Sequence, residues 1–238
     1  MRPLTLKDVR ARARSHADPE DAVFLQRFFK SGPGEYAEGD RLLGIRAPVI
    51  RRLAREFALL DLNRCSSLLK SEYHEERLLA LIILVIQFRK AGVDGKKKIY
   101  DLYLSHTEFI NNWDLVDLSA EHIVGGYLVD RSRRPLYRLA RSRDLWERRI
   151  SILSTLHFIR RNDFEDTFGI AKKLLHDEHD LIHKAVGWML REAGNRSHAA
   201  EVGFLKIHYR NMPRTMLRYA IERFPERERR SYLKGTAT

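Results

Sequence analysis

A single cysteine, Cys65, in 238 residues closes off several chemistries at once. No intrachain disulfide is possible, and a cysteine-based zinc site or an iron–sulfur cluster would lack ligands. Long apolar runs are also missing. The longest, residues 78–86, is nine residues, against the ~20 that a membrane-spanning helix needs. No glycine-rich phosphate loop, GxSxG elbow or Ser-His-Asp ordering occurs, so the common nucleotide-binding and acyl-transfer signatures are absent. β-branched alternating runs bounded by turns are absent as well. Residues 1–14 mix charged and apolar residues without an apolar core, unlike a secretory signal. These absences lead us to expect a cytoplasmic protein that needs no metal and no cofactor.

What is abundant is positive charge. Lys and Arg number 44 against 32 Asp and Glu, a formal net charge of +12. Such a surplus suits a nucleic acid or an anionic membrane surface, and equally a protein kept dispersed by charge.

Apolar residues recur at three- and four-residue spacing along almost the whole chain, which predicts an all-α protein. Asp18-Pro19-Glu20 and Ala47-Pro48 read as helix starts, and residues 31–40, rich in glycine and acids, as a loop. Helices are expected at 48–58, 61–71, 74–91, 95–106, 112–129, 134–141, 145–161, 164–175, 180–194, 198–210 and 214–224. The more apolar members open in one register at Arg77, Asp117, Arg149, Lys184 and Arg218, in steps of 32 to 40 residues. That period predicts an α-solenoid of helical repeats with a concave basic groove. A coiled coil is a poor alternative, because heptads are not sustained. The expected layout is one domain, with residues 1–43 as an N-terminal helical cap and 44–238 as the repeat array.

Asp117 stands out in this row as an acid where the other members are cations. Trp113 precedes it by four residues, so both share one helical face. An indole ring beside a carboxylate can hold a cation. The plainer reading makes Asp114 or Asp117 a helix cap and Trp113 core. Asp114 is the better cap candidate, facing away from the pair. Trp146 precedes Arg149 by three residues, and Trp188 lies one turn beyond Lys184 beside Gly187, which leaves room for close approach. Taken singly, Trp188 reads as core and Arg149 as half of a surface ion pair. His176, His179 and His183 with their acidic neighbours suggest a metal cluster at first sight. The segment fits better as a turn in which Asp180 caps a helix. Arg227, Arg229, Arg230 and Lys234, diluted by Glu226 and Glu228, form a solvated end.

Three separated segments, NWDLVD, LWERRISIL and KAVGWMLRE, closely resemble the AlkD-type DNA alkylation repair glycosylases of HEAT-like repeats. The resemblance runs from about residue 44 to the last basic helix. It implies that Asp117, Trp113, Trp188 and Arg149 are catalytic-site residues. Arg77, Lys184, Arg191 and Arg218 would contact DNA. Asn112 stands where some relatives carry a further tryptophan, a change expected to tune the grip on the lesion. The implied activity is hydrolysis of the N-glycosidic bond of cationic N3- or N7-alkylated purines in duplex DNA. No lysine sits beside the Asp117–Trp113 pair in sequence, so we expect a monofunctional enzyme, and a monomer. Two other readings compete. One is a non-catalytic HEAT-repeat protein that binds distorted or branched DNA, which leaves Asp117 unexplained. The other is a protein-binding scaffold, for which the fold alone argues.

Overall fold

The computed structural model describes residues 5–237. Regular structure among them is helical; no strand forms, and Arg41 and Tyr73 make an isolated parallel bridge. The chain condenses into two compact units, one ending at Ile123 and one beginning at Val124. No helix among the described residues is long and apolar enough to cross a membrane.

The first unit holds α1 (Leu6–Arg14), α2 (Pro19–Phe29), α3 (Ala47–Glu56), α4 (Leu62–Leu69), α5 (His74–Lys90), α6 (Val93–Leu104) and α7 (Trp113–Asp117). Asp18 caps α2 by accepting from the amides of Glu20 and Asp21, with Pro19 as the first helical residue. α5 is the central helix and packs against α3 and α4. Leu79, Leu81, Ile83 and Leu84 are fully buried on it, as are Ile50, Leu53, Leu68 and Leu69 opposite. Each such side chain contributes ~1.5–3 kcal/mol of burial.

The second unit holds α8 (Gly126–Leu128), α9 (Arg134–Leu139), α10 (Leu145–Ser154), α11 (Leu156–Ile159), α12 (Glu165–Lys173), α13 (Asp180–Arg196), α14 (His198–His208), α15 (Arg214–Ala220) and α16 (Glu226–Lys234). Its core helix is α13, which packs on α10, α14 and α15 through Ile182, Ala185, Val186, Met189 and Leu190. Helix and short turn thus alternate in both units, as the spacing of apolar residues predicts.

Two expected long helices are broken. The 112–129 helix ends at Asp117, and the chain resumes as a π-helical turn, Glu121–Gly125. The 145–161 helix breaks at Thr155. Hydroxyls stand at both breaks. Ser119 Oγ donates to the Leu115 carbonyl (2.5 Å), Ser154 Oγ to Ile150 (2.6 Å) and Thr155 Oγ1 to Ile152 (2.7 Å). Side-chain donors that take helix carbonyls bend or end the helix.

The expected shared register holds for four of the five opening residues, although Arg149 is buried at 5 % exposed. Asp117, Arg149, Lys184 and Arg218 are each the fifth residue of their helices, whereas Arg77 is the fourth residue of α5. One residue is about 100° of rotation. The fifth place on α5 is taken by Leu78, and Arg77 lies in the interior, 3 % exposed, because the whole first turn of α5 is buried.

Candidate active site

Helix α7 is only five residues long, too short to hold itself together. Asn112, in extended conformation, accepts a hydrogen bond from the Trp113 amide (2.8 Å). Asn112 is fully buried, and its side chain serves as the helix cap. Asp114 is not the cap. Its Oδ2 accepts from His74 Nε2 at 2.9 Å. At the far end of α7, Tyr103 and Ser119 hydroxyls meet at 2.9 Å. Burial above all, with the Asp117 charge adding, pushes the Tyr103 phenol up.

These pins aim Trp113 and Asp117 into one hollow of ≈ 300 Å³, which Asp114, Arg51 and Leu78 also line. The shared face expected for Trp113 and Asp117 is present, but Asp114 faces the same hollow. An adjoining cavity of ≈ 420 Å³ is lined by Phe24, Phe28, Phe29, Arg46, His74 and Trp113 among others. Trp113 meets Phe29 at 5.6 Å between ring centroids and a 37° tilt. Phe24 and Phe28 stack along α2 at 6.4 Å, yet they are 54 % and 52 % exposed. Exposed aromatic pairs beside a concave site mark a binding surface more than a core. Sequence reasoning overlooked them. Their signal was the i, i+4 spacing of Phe24 and Phe28 on a helix whose apolar residues exceed one buried stripe.

Among the described residues the hollow has one arginine in its lining, from α3. Arg51 lines both cavities, and Arg52 and Arg55 on the same helix are exposed. Among the described residues neither cavity is lined by lysine. Arg77 does not serve as a surface cation. Its guanidinium is ion-paired with Asp40 and donates to the Ser71 carbonyl at 2.9 Å, so contact with a DNA phosphate is closed to it. Burial works against the Asp40 carboxylate, but His74 and Arg77 outweigh it and hold its pKa below the usual range.

In the second unit, Arg149 is 5 % exposed and donates to the Leu181 carbonyl (2.6 Å). Trp146 is core, and Trp188 is part-buried with its Nε1–H on Glu192 Oε1 (3.0 Å). Lys184 pairs with Asp180 at 2.7 Å, Arg191 pairs with Glu222 and Glu192, and Arg218 is exposed. The space at Gly187 is filled from within the unit. A Cβ there would lie 2.5 Å from the Met216 carbonyl and 2.5 Å from Tyr219 Cβ, so the close approach is that of α15. His179, not Asp180, caps α13, by accepting from the Leu181 amide. Among the described residues no group of three or more His, Cys, Asp or Glu is placed to hold a metal ion.

The fold and site define a helical-repeat protein with an acid-and-indole hollow and a strongly basic surface. The family model for DNA alkylation repair enzymes matches residues 9–224, and the chain belongs to that family. Its fold is similar to the solved structure of a predicted DNA alkylation repair enzyme from Enterococcus faecalis. The TM-score is 0.68 at 14 % identity, over 89 % of this chain and 98 % of that one. Comparison with curated proteins gave no match.

Proposed function

We propose that the protein is a DNA glycosylase that hydrolyses the N-glycosidic bond of cationic N3- or N7-alkylated purines in duplex DNA. Family membership supports a role in the repair of alkylated DNA. The observation that carries the finer reading is the hollow shared by the Trp113 ring and the Asp117 carboxylate.

Alkylation at a ring nitrogen makes the purine cationic, so it leaves as a neutral base without a proton donor. A single carboxylate then suffices, in contrast to the acid–base pair of ordinary glycosidases. Asp117 stabilises positive charge as it develops on the deoxyribose and orients the attacking water. Trp113 covers the sugar or the lesion with its π face. Arg51, exposed at the rim, is suited to an adjacent phosphate. Trp188 and Arg149 enter on the sequence resemblance alone, as do the phosphate contacts of Lys184, Arg191 and Arg218. A lining with arginine and, among the described residues, no lysine supports a monofunctional enzyme, because no lysine amine is at hand there to trap the sugar as a Schiff base. Selectivity then rests on the lability and charge of the lesion, so neutral lesions such as uracil are poor substrates.

The test is release of free N7-methylguanine from methylated duplex, comparing wild type with Asp117→Asn at equal DNA occupancy. Release that vanishes in the variant while binding persists is expected. Tight binding with no release by the wild type would point instead to a non-catalytic lesion binder.

A further inference from the structure

Residues 74–77 form the first turn of α5, and all four are buried. Each fastens a different segment. Glu75 accepts from the amides of Leu43, Gly44 and Ile45 (2.8–3.2 Å). Glu76 accepts from Arg10 and Arg14 of α1 and from Ser71. Arg77 binds Asp40. His74 reaches the candidate active site itself.

The His74 ring is 1 % exposed, and each of its nitrogens faces a carboxylate. Nδ1 lies 3.0 Å from Asp40 Oδ2, and Nε2 lies 2.9 Å from Asp114 Oδ2. An ionised carboxylate only accepts, so a carboxylate at each nitrogen favours the doubly protonated ring, an imidazolium. The charges balance locally, with His74 and Arg77 against Asp40 and Asp114. Burial alone would lower the pKa of His74, but Asp114 and Asp40 together outweigh it and raise it to about 9. The same ring lies on Phe29, 4.6 Å between centroids, and Phe29 in turn packs on Trp113. A cation on that π face adds attraction.

His74 therefore touches the short helix α7 by two routes, directly through Asp114 and indirectly through Phe29 and Trp113. We propose that His74 is a positioning residue of the active site: as a fixed cation it clamps Asp114 and supports Phe29, and so holds Trp113 and Asp117 where the reaction needs them. The proposal rests on the glycosylase reading for its catalytic consequence, but the clamp itself is readable without activity. The charged groups facing His74 are Asp40 from the loop and Asp114 from α7, with Arg77 behind Asp40; Phe29 covers the ring from α2.

The experiment follows the His74 ring nitrogens and the Trp113 indole by 15N NMR from pH 6 to 10, in wild type, Asp114→Asn and His74→Gln. The wild-type ring should be doubly protonated at pH 7.5, and the Trp113 indole should shift with the same midpoint as His74. Asp114→Asn should lower that midpoint by about one pH unit or more, because the facing charge is gone. Single-turnover base release should slow about tenfold in folded His74→Gln. In wild type it should decline as His74 loses its proton, and in Asp114→Asn at correspondingly lower pH. A purely structural histidine would lower thermal stability in both variants without moving the pH at which release declines. A neutral ring at pH 7.5, or an indole that ignores the titration of His74, overturns the proposal. If the wild type releases no base while ring and indole titrate together, the glycosylase reading falls and the clamp stands.

Discussion

The Phe28 ring meets the Trp113 ring edge-on, with 5.6 Å between centroids and 71° between planes. Edge-to-face contact is one of the two favoured aromatic geometries, and here it joins an exposed residue of α2 to the indole beside Asp117.

Replacing Phe28 separates binding from stability. Phe28→Ala removes a half-exposed side chain, so unfolding free energy should change by less than ~1 kcal/mol. Single-turnover release of methylpurine should fall about tenfold if the ring helps to cover the lesion. Thermal melts and rates on the same preparation decide it. An unchanged rate would assign Phe28 to surface packing.

Two arginines of the sequence row should behave in opposite ways. Arg77→Met breaks a buried pair and should cost about 3–5 kcal/mol in urea unfolding, while the salt dependence of DNA binding stays as it is. Arg218→Ala should leave stability nearly untouched and flatten the slope of log affinity against log salt by about one. The reverse pattern would mean that Arg77 faces solvent.

Glu201 gives the protein a pH-dependent weakness. Its carboxyl is buried with Oε1 unpartnered, and burial first, then the Glu228 charge, raises its pKa to about 9 against the pull of Arg191. An acid with a raised folded pKa contributes its full stability below its unfolded value of 4.5. That contribution is lost as pH rises through about 9. Glu201→Gln should therefore stabilise the fold at pH 8 by about 1–3 kcal/mol, and by much less at pH 4. Melting curves across that range check the sign.

Gly187 is held by crowding. With Met216 and Tyr219 both 2.5 Å from the place of a Cβ, Gly187→Ala should destabilise by about 1–3 kcal/mol through overpacking. A melting temperature equal to wild type would show that α15 yields freely.

Much of this was legible in the sequence. Helix identity followed from apolar spacing, and the pairing of Trp113 with Asp117 from a four-residue interval. The breaks at Ser119 and Thr155 were not, because the helical spacing of apolar residues continues through both and the hydroxyls act only on carbonyls of their own turn. Arg77 misled for a related reason. Spacing along the chain cannot tell the fourth residue of a helix from the fifth until the helix start is known. The loop residue Asp40 and His74 are 34 positions apart, and no local pattern links them. The same holds for Phe28 and Trp113, which meet only through tertiary packing.

The four buried charges at the head of α5 also decide what can be removed from this chain. Their partners Arg10, Arg14, Asp40 and the amides of residues 43–45 all precede residue 46. A fragment begun there would strip Glu75 and Glu76 of those contacts and leave His74 and Arg77 without Asp40. It would also delete Phe28 and Phe29. The opening stretch is thus no detachable lid on a self-sufficient repeat array. Shortened or fused versions must keep it whole, and proteolysis within residues 31–40 should inactivate the protein even where every residue of α7 survives.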